Sequence, residues 1–203
     1  MTAKTVKSDT RKSEKWIFGT MLVFGIFGLA AAFALSVERV QQLIDPNAHL
    51  ICNFNLIFNC GTVMQTWQAK LFGFPNSFIG LMTEPVVITV AIAGLAGITF
   101  PRWFMNTAQI FYGLGLIFAY WLFFQSVFGI QTLCPWCLVV TVSTSILFDA
   151  LLRYNLLKNN FGFKAATHQK IVGWLKKDYD KFILAAWLVA MVVTVLVKFP
   201  GIF

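Results

Sequence analysis

The chain has 203 residues, 58% of them hydrophobic, with 22 Phe and a mean hydropathy of +0.73, which is far too apolar for a water-soluble domain. Its formal net charge of +8 does not point to nucleic acid, because the basic residues gather at the ends of apolar runs, where they report membrane topology.

A span needs roughly 20 apolar residues to cross about 30 Å of hydrocarbon. Five stretches qualify: 16–36, 78–100, 104–128, 134–152 and 182–197. The first run is too long for the core of a signal peptide and has no small-residue cleavage site after it, so it reads as a signal anchor. Lys4, Lys7, Arg11, Lys12 and Lys15 precede span one, and Arg102 separates spans two and three. Arg153, Lys158, Lys164, Lys170, Lys176, Lys177 and Lys181 lie between or at the ends of spans four and five. Only Arg39, Lys70 and Lys198 fall on the other side. The asymmetry predicts a cytoplasmic N-terminus and an extracytoplasmic C-terminus.

Residues 1–15 form a polar, basic cytoplasmic tail, expected to be disordered. Span one carries Gly19, Gly25 and Gly28, small residues that let neighbouring helices approach. The lid loop 37–77 that follows is too polar to cross yet holds many apolar residues, so it is expected to lie partly helical on the outer membrane surface. Residues 38–44 predict a short amphipathic helix ended by Asp45-Pro46. Cys52 and Cys60 enclose seven residues; Asn53, Asn55, Asn59 and Gly61 favour the turns that a loop disulfide needs. On the loop alone, a structural staple and an exchangeable pair both stay open.

Pro75-Asn76-Ser77 opens span two, where Asn76 either caps the helix or turns its amide into the bundle to hydrogen-bond a carbonyl-bearing ligand. Glu84-Pro85 follows about two turns later. An intramembrane carboxylate is a functional candidate, but a late helix start, with Pro85 in the first turn and Glu84 near the headgroups, is the favoured expectation. Span three carries Tyr112, Tyr120, Trp121, Phe123 and Phe124, read as packing or lipid-facing residues.

Span four opens on Cys134-Pro135-Trp136-Cys137. Proline costs nothing in a first turn, since the N–H it removes would be unpaired there. Free N–H groups and partial positive charge at a helix start stabilise a thiolate. This placement is read as redox chemistry; the alternative is two small packing residues. The topology puts all four cysteines on the outer, oxidising side, where disulfides persist. The linker 156–181 predicts a basic surface helix and a loop, span five and its short tail occupy 182–203, and His49 and His168 have no partner at metal-ligand spacing, so both are read as solvated.

Taken in order, Cys52, Cys60-Gly61-Thr62-Val63-Met64, then Gly73-Phe74-Pro75-Asn76-Ser77-Phe78-Ile79-Gly80, then Leu133-Cys134-Pro135-Trp136-Cys137 resemble the bacterial vitamin K epoxide reductase family, its actinobacterial members above all. The resemblance runs over about 16–155 and implies an all-α integral membrane protein. In that fold a four-helix transmembrane redox bundle surrounds a quinone site, an extracytoplasmic lid loop covers it, and a fifth transmembrane helix follows. It implies a membrane thiol oxidase of a bacterial cell membrane that reduces a quinone (menaquinone or ubiquinone) and passes disulfides to a separate DsbA-like thioredoxin-fold partner. By the same resemblance the partner attacks Cys52, Cys60 attacks Cys134, and Cys137 faces the quinone. Asn76 matches the residue that hydrogen-bonds a quinone carbonyl, and Val63, Met64 and Ile79 match apolar pocket positions. Thr66 keeps the hydroxyl where the family has serine. Thr141 stands where the animal enzymes have tyrosine, which leaves quinone reduction a safer expectation than epoxide reduction. A DsbB-type oxidase does the same chemistry with its two cysteine pairs in the opposite order. A membrane protein binding metal through four cysteines is an alternative of a different class.

Overall fold

The computed structural model describes residues 3–45 and 50–200, with side chains from residue 13 onward. Pro46 and His49 lie outside the described residues. Within them the chain is all helix apart from two isolated backbone bridges, and five helices are long and apolar enough to cross a membrane.

Helix α1 spans Ala3–Ile44, about 63 Å at 1.5 Å per residue, so it overruns a hydrocarbon core at both ends. This corrects two expectations. The tail before residue 16 is helical back to Ala3, because extending a nucleated helix adds one hydrogen bond for each residue fixed. Residues 38–44 are no separate surface helix but the last turns of α1, so the lid proper begins after Ile44. Its structured part is α2 (Cys60–Gln65) and one 3-10 turn (Trp67–Lys70).

Helix α3 (Ser77–Leu95), α4 (Arg102–Phe124, continued by a π-helical turn over Gln125–Ile130) and α5 (Pro135–Leu157) complete a four-helix bundle with α1. Helix α1 is the central member: it packs along both α3 and α5, while α4 packs on α5. Its N-terminal half meets its neighbours through Phe18, Met21, Val87, Ala91, Met105, Leu147, Leu151 and Tyr154. Gly94 makes the closest approach possible, since a β-carbon there would sit 2.5 Å from the Phe18 ring. At the same end Asn155, fully buried, donates to the Met105 carbonyl and to Gln109 Oε1 and accepts from Asn160 Nδ2.

Helix α3 starts at Ser77, not late, so Pro85 lies inside it and Glu84 is buried two turns down. The expected headgroup position of Glu84 is thereby overturned. Pro85 has no N–H to give the Leu81 carbonyl, and the hydroxyls on either side of it bond within the helix, Thr83 Oγ1 to the Ile79 carbonyl and Thr89 Oγ1 to the Pro85 carbonyl.

After α5, the chain forms the expected surface helix, α6 (Ala165–Leu175), and then α7 (Tyr179–Lys198). Arg153 ties the three together by bonding Asp178, Asp180 and the Leu175 carbonyl. Lys181, with Arg153, holds the exposed Asp178 carboxyl below its ordinary range. His168 is not simply solvated: its Nε2 lies 3.0 Å from the Leu156 carbonyl. Most of α7 is exposed, as a lipid-facing helix would be, but Met191 and Phe199 pack with Phe123, Val127 and Leu133. Leu133 is the residue before Cys134, so α7 braces the entrance to α5.

Candidate active site

The lid loop is built by its asparagines. Asn55 Oδ1 accepts from the amides of Ile57 and Phe58, Asn53 Oδ1 from Gly61, and Asn59 Oδ1 from Thr62 as the N-cap of α2. Gly61 is tightly enclosed, since a β-carbon would fall 3.1 Å from Asn53 Nδ2 and 3.2 Å from Leu50 Cδ1. The loop is then pinned to the chain entering α5: Asn59 N–H donates to the Leu133 carbonyl (2.9 Å) and Leu133 N–H to the Ile57 carbonyl (2.7 Å). A third tie comes from α1, where Gln42 Nε2 donates to the Gly61 carbonyl.

These ties bring the cysteines together. Cys52 and Cys60 form a disulfide; Cys134 and Cys137 are free thiols. Cys134 Sγ lies 3.2 Å from Cys60 Sγ across 74 residues of sequence, close enough for thiol–disulfide exchange once a sulfur is ionised. Cys134 is the N-cap of α5 with Pro135 at its first position, and the Cys137 amide points at Cys134 Sγ at 3.4 Å. Cys52, Cys60 and Cys134 are almost fully buried among Leu35, Val63 and Met64. Cys52, expected as the outer member of its pair, is only 2% exposed. At that burial an attacking thiol reaches it only when the lid around it moves.

One neighbour of the pair had no signal in the sequence. Glu38, buried near the end of α1, has its Oε2 2.7 Å from Cys52 Sγ. It would have been found only by knowing that α1 runs on past the membrane and under the lid. Glu38, Cys52 and Cys60 are the one group of three metal-ligating side chains gathered among the described residues. With its two sulfurs joined to each other, that group offers no thiolates, so the four-cysteine metal site is not formed in this state.

Below the cysteines lies a cavity of about 660 Å³ walled by α1, α3, α4, α5 and the lid. Cys134 and Cys137 are in its wall, as are Val63, Met64, Thr66, Asn76, Ile79 and Thr141. All the candidate pocket residues thus share one space. Its surface is overwhelmingly apolar, and the hydroxyls are satisfied within the chain: Thr66 Oγ1 donates to the Val63 carbonyl and Thr141 Oγ1 to that of Cys137. Asn76 stands at the N-cap position of α3 but makes no capping bond. Its Nδ2 donates to the Gln68 carbonyl at 2.6 Å, and its Oδ1 is buried with no partner.

Because α3 rests on α1 and α4 on α5, the seam between α3 and α4 is the loose side of the bundle. Met82 and Val86 of α3 and Phe111 and Leu114 of α4 both line the cavity and are exposed on the outer surface. The cavity therefore meets the hydrocarbon there. Tyr112, read above as a packing residue, also lines it and reaches Glu84 across the seam.

A family model described as the vitamin K epoxide reductase family matches residues 20–151, about two thirds of the chain. No curated protein and no solved structure matches the chain.

Proposed function

This chain belongs to the vitamin K epoxide reductase family of membrane thiol–disulfide oxidoreductases, and from that premise we propose that it is a quinone-dependent oxidase that generates disulfides for an extracytoplasmic thioredoxin-fold partner. The observation that carries the proposal is the sulfur relay. A buried disulfide stands 3.2 Å from the first cysteine of a C-x-x-C pair whose second cysteine is in the wall of an apolar cavity.

The route follows from proximity and exchange chemistry. A partner thiolate attacks Cys52, and Cys60 leaves as a thiolate. Cys60 attacks Cys134 of an oxidised Cys134–Cys137 pair, and Cys137 is released into the cavity. The partner's second thiol closes the partner's own disulfide and releases Cys52, which attacks Cys60 and expels Cys134, so that the loop disulfide is restored and both C-x-x-C thiols are left reduced. The pairing seen here, with the loop bonded and Cys134 and Cys137 free, corresponds to that point, with the electrons waiting beside the cavity. Ile51, Phe54 and Leu56, all strongly exposed around Cys52, give a partner an apolar surface to dock on.

A quinone, when bound, supplies the sink for two electrons and two protons. The residues fit such a group. Cavities of about 300–1,000 Å³ with few polar groups suit a flat apolar ligand. Asn76 offers a free Nδ2 hydrogen for a ring carbonyl and an orphaned Oδ1 for a ring hydroxyl. Thr66, Val63, Met64, Ile79 and Thr141 supply the walls, and the α3–α4 seam would admit a ligand dissolved in the bilayer. Residues 16–155 would be the redox bundle with its lid, 156–181 a basic cytoplasmic linker, and 182–203 the fifth helix and outer tail, in a bacterial cell membrane.

The test is single-turnover reoxidation. The reduced protein receives menaquinone or ubiquinone without oxygen, and quinol absorbance is followed alongside alkylation of the thiols. Stoichiometric quinol with loss of the Cys134 and Cys137 thiols is expected; four free thiols and no quinol would refute the proposal. Asn76→Ala should raise the quinone KM about tenfold, the worth of one ordinary hydrogen bond, and leave exchange with a small dithiol unchanged. Unaltered quinone kinetics would remove Asn76 from the site.

A further inference from the structure

Glu84 is the one carboxyl among the described residues that line the cavity. It is 5% exposed, and no ion pair reaches it among those residues. An isolated carboxyl in the hydrocarbon zone is costly and, where it persists, faces a bundle interior with a task. The chain also makes room for it. A β-carbon on Gly28 of α1 would fall 3.0 Å from Glu84 Cδ and 3.1 Å from Oε1, and one on Gly25 would lie 3.8 Å from Oε2. Across the seam, Tyr112 Oη donates to Oε2 at 3.4 Å.

We infer that Glu84, held by Tyr112, is an acid of the cavity that gives a proton to a ring oxygen of the bound quinone, a role that rests on the reading above. Asn76 and Glu84 are eight residues apart on α3, roughly 12 Å of rise. A ring with a carbonyl at each end and a partner at about 2.8 Å from each oxygen has a similar span. Asn76 thus serves one oxygen and Glu84 the other.

The balance leaves a place for such a group when Cys137 reacts as a thiolate. Closing the Cys134–Cys137 disulfide gives up two electrons, and the two ring oxygens take up two protons. Cys134 gives one proton as its thiol is consumed. Cys137, when it reacts as the thiolate that exchange releases, has none to give. Glu84 gives the second and is left as a carboxylate hydrogen-bonded by Tyr112, until water admitted by the lid restores its proton.

The groups that face Glu84 are few. Helix α1 presents Gly25 and Gly28, α4 presents Tyr112, and α5 turns Thr141, Thr144 and the Cys137 thiol to the same cavity. Arg39 of α1 reaches the cavity at the lid end, where Nη1 donates to Gln42 Oε1; it is 11 residues from Gly28, roughly 16 Å along the helix.

Two measurements test the inference. In ligand-free membranes, a lipid-soluble carbodiimide, which reacts with carboxylic acids and not with carboxylates, should label Glu84, and a short-chain quinone should block the labelling. An unlabelled Glu84 would overturn the role of acid. In single turnover, Glu84→Gln should slow quinol formation about 10²-fold. It should also remove the limb in which the wild-type rate falls as pH rises, while reduction of the Cys52–Cys60 pair by a small dithiol stays normal. If that reduction is abnormal, Glu84→Asp should restore it together with the pH limb. Quinol formed by Glu84→Gln at the wild-type rate and pH profile would overturn this inference alone, whereas no quinol from the wild-type protein would overturn the quinone reading beneath it.

Discussion

Replacing Cys137 by Ser is expected to abolish turnover, by about 10³-fold or more, and to leave a Cys60–Cys134 disulfide that non-reducing peptide mapping identifies. The reason is geometric. Cys134 Sγ already stands 3.2 Å from Cys60 Sγ, and two backbone hydrogen bonds between 57–59 and Leu133 hold that register. Attack of a Cys134 thiolate on Cys60 expels Cys52, which emerges 2.7 Å from the Glu38 carboxyl and finds a hydrogen-bond partner there. In the intact protein the cross-link opens from either side, by Cys52 attacking Cys60 or by Cys137 attacking Cys134. Serine in place of Cys137 closes the second route, so the bridged form accumulates. Cys134→Ser should be equally inactive but keep the Cys52–Cys60 pair. A Cys137→Ser protein with only Cys52–Cys60 paired would count against exchange between lid and bundle.

Asn155→Ala should give the largest loss of stability among single side-chain truncations in the bundle, about 3 kcal/mol or more. Asn155 is fully buried and makes three hydrogen bonds. Its removal strands the Met105 carbonyl, Gln109 and Asn160, and each stranded buried group costs about 1–3 kcal/mol. In a chain of this length the effect corresponds to a fall in Tm of roughly 10 °C, readable by thermal unfolding in detergent. Asn155→Asp keeps the size and loses the Nδ2 donor, so it should fare no better. A Tm within about 2 °C of the wild type would show that water or lipid satisfies the stranded groups.

Much of this protein was legible because the bilayer imposes simple rules. Spans two to five were found within a few residues, because each must be long and apolar. The C-x-x-C pair sits at a helix mouth with proline in the first turn, since a missing N–H is harmless there. The lid asparagines make the turns their chemistry favours. Pro85 reads as a start signal and so misplaces Glu84; a transmembrane helix tolerates proline in its interior, and here it lies inside α3. Glu38 and Tyr112 gave no signal, because nothing local says that a carboxyl near the end of one helix will meet a cysteine of the lid, or that a tyrosine of another will reach a carboxyl across a seam.

The sequence by itself therefore determined the class of protein, the last four of its five spans and the family, since hydropathy, charge and ordered motifs are properties of short stretches. Only the tertiary structure decided that Cys60 rests on Cys134, that Cys52 is covered, and that Asn76, Glu84 and Cys137 share one cavity. Those facts depend on how α1 packs between α3 and α5 and on two hydrogen bonds joining residues 74 or more positions apart, and no local pattern encodes such a meeting.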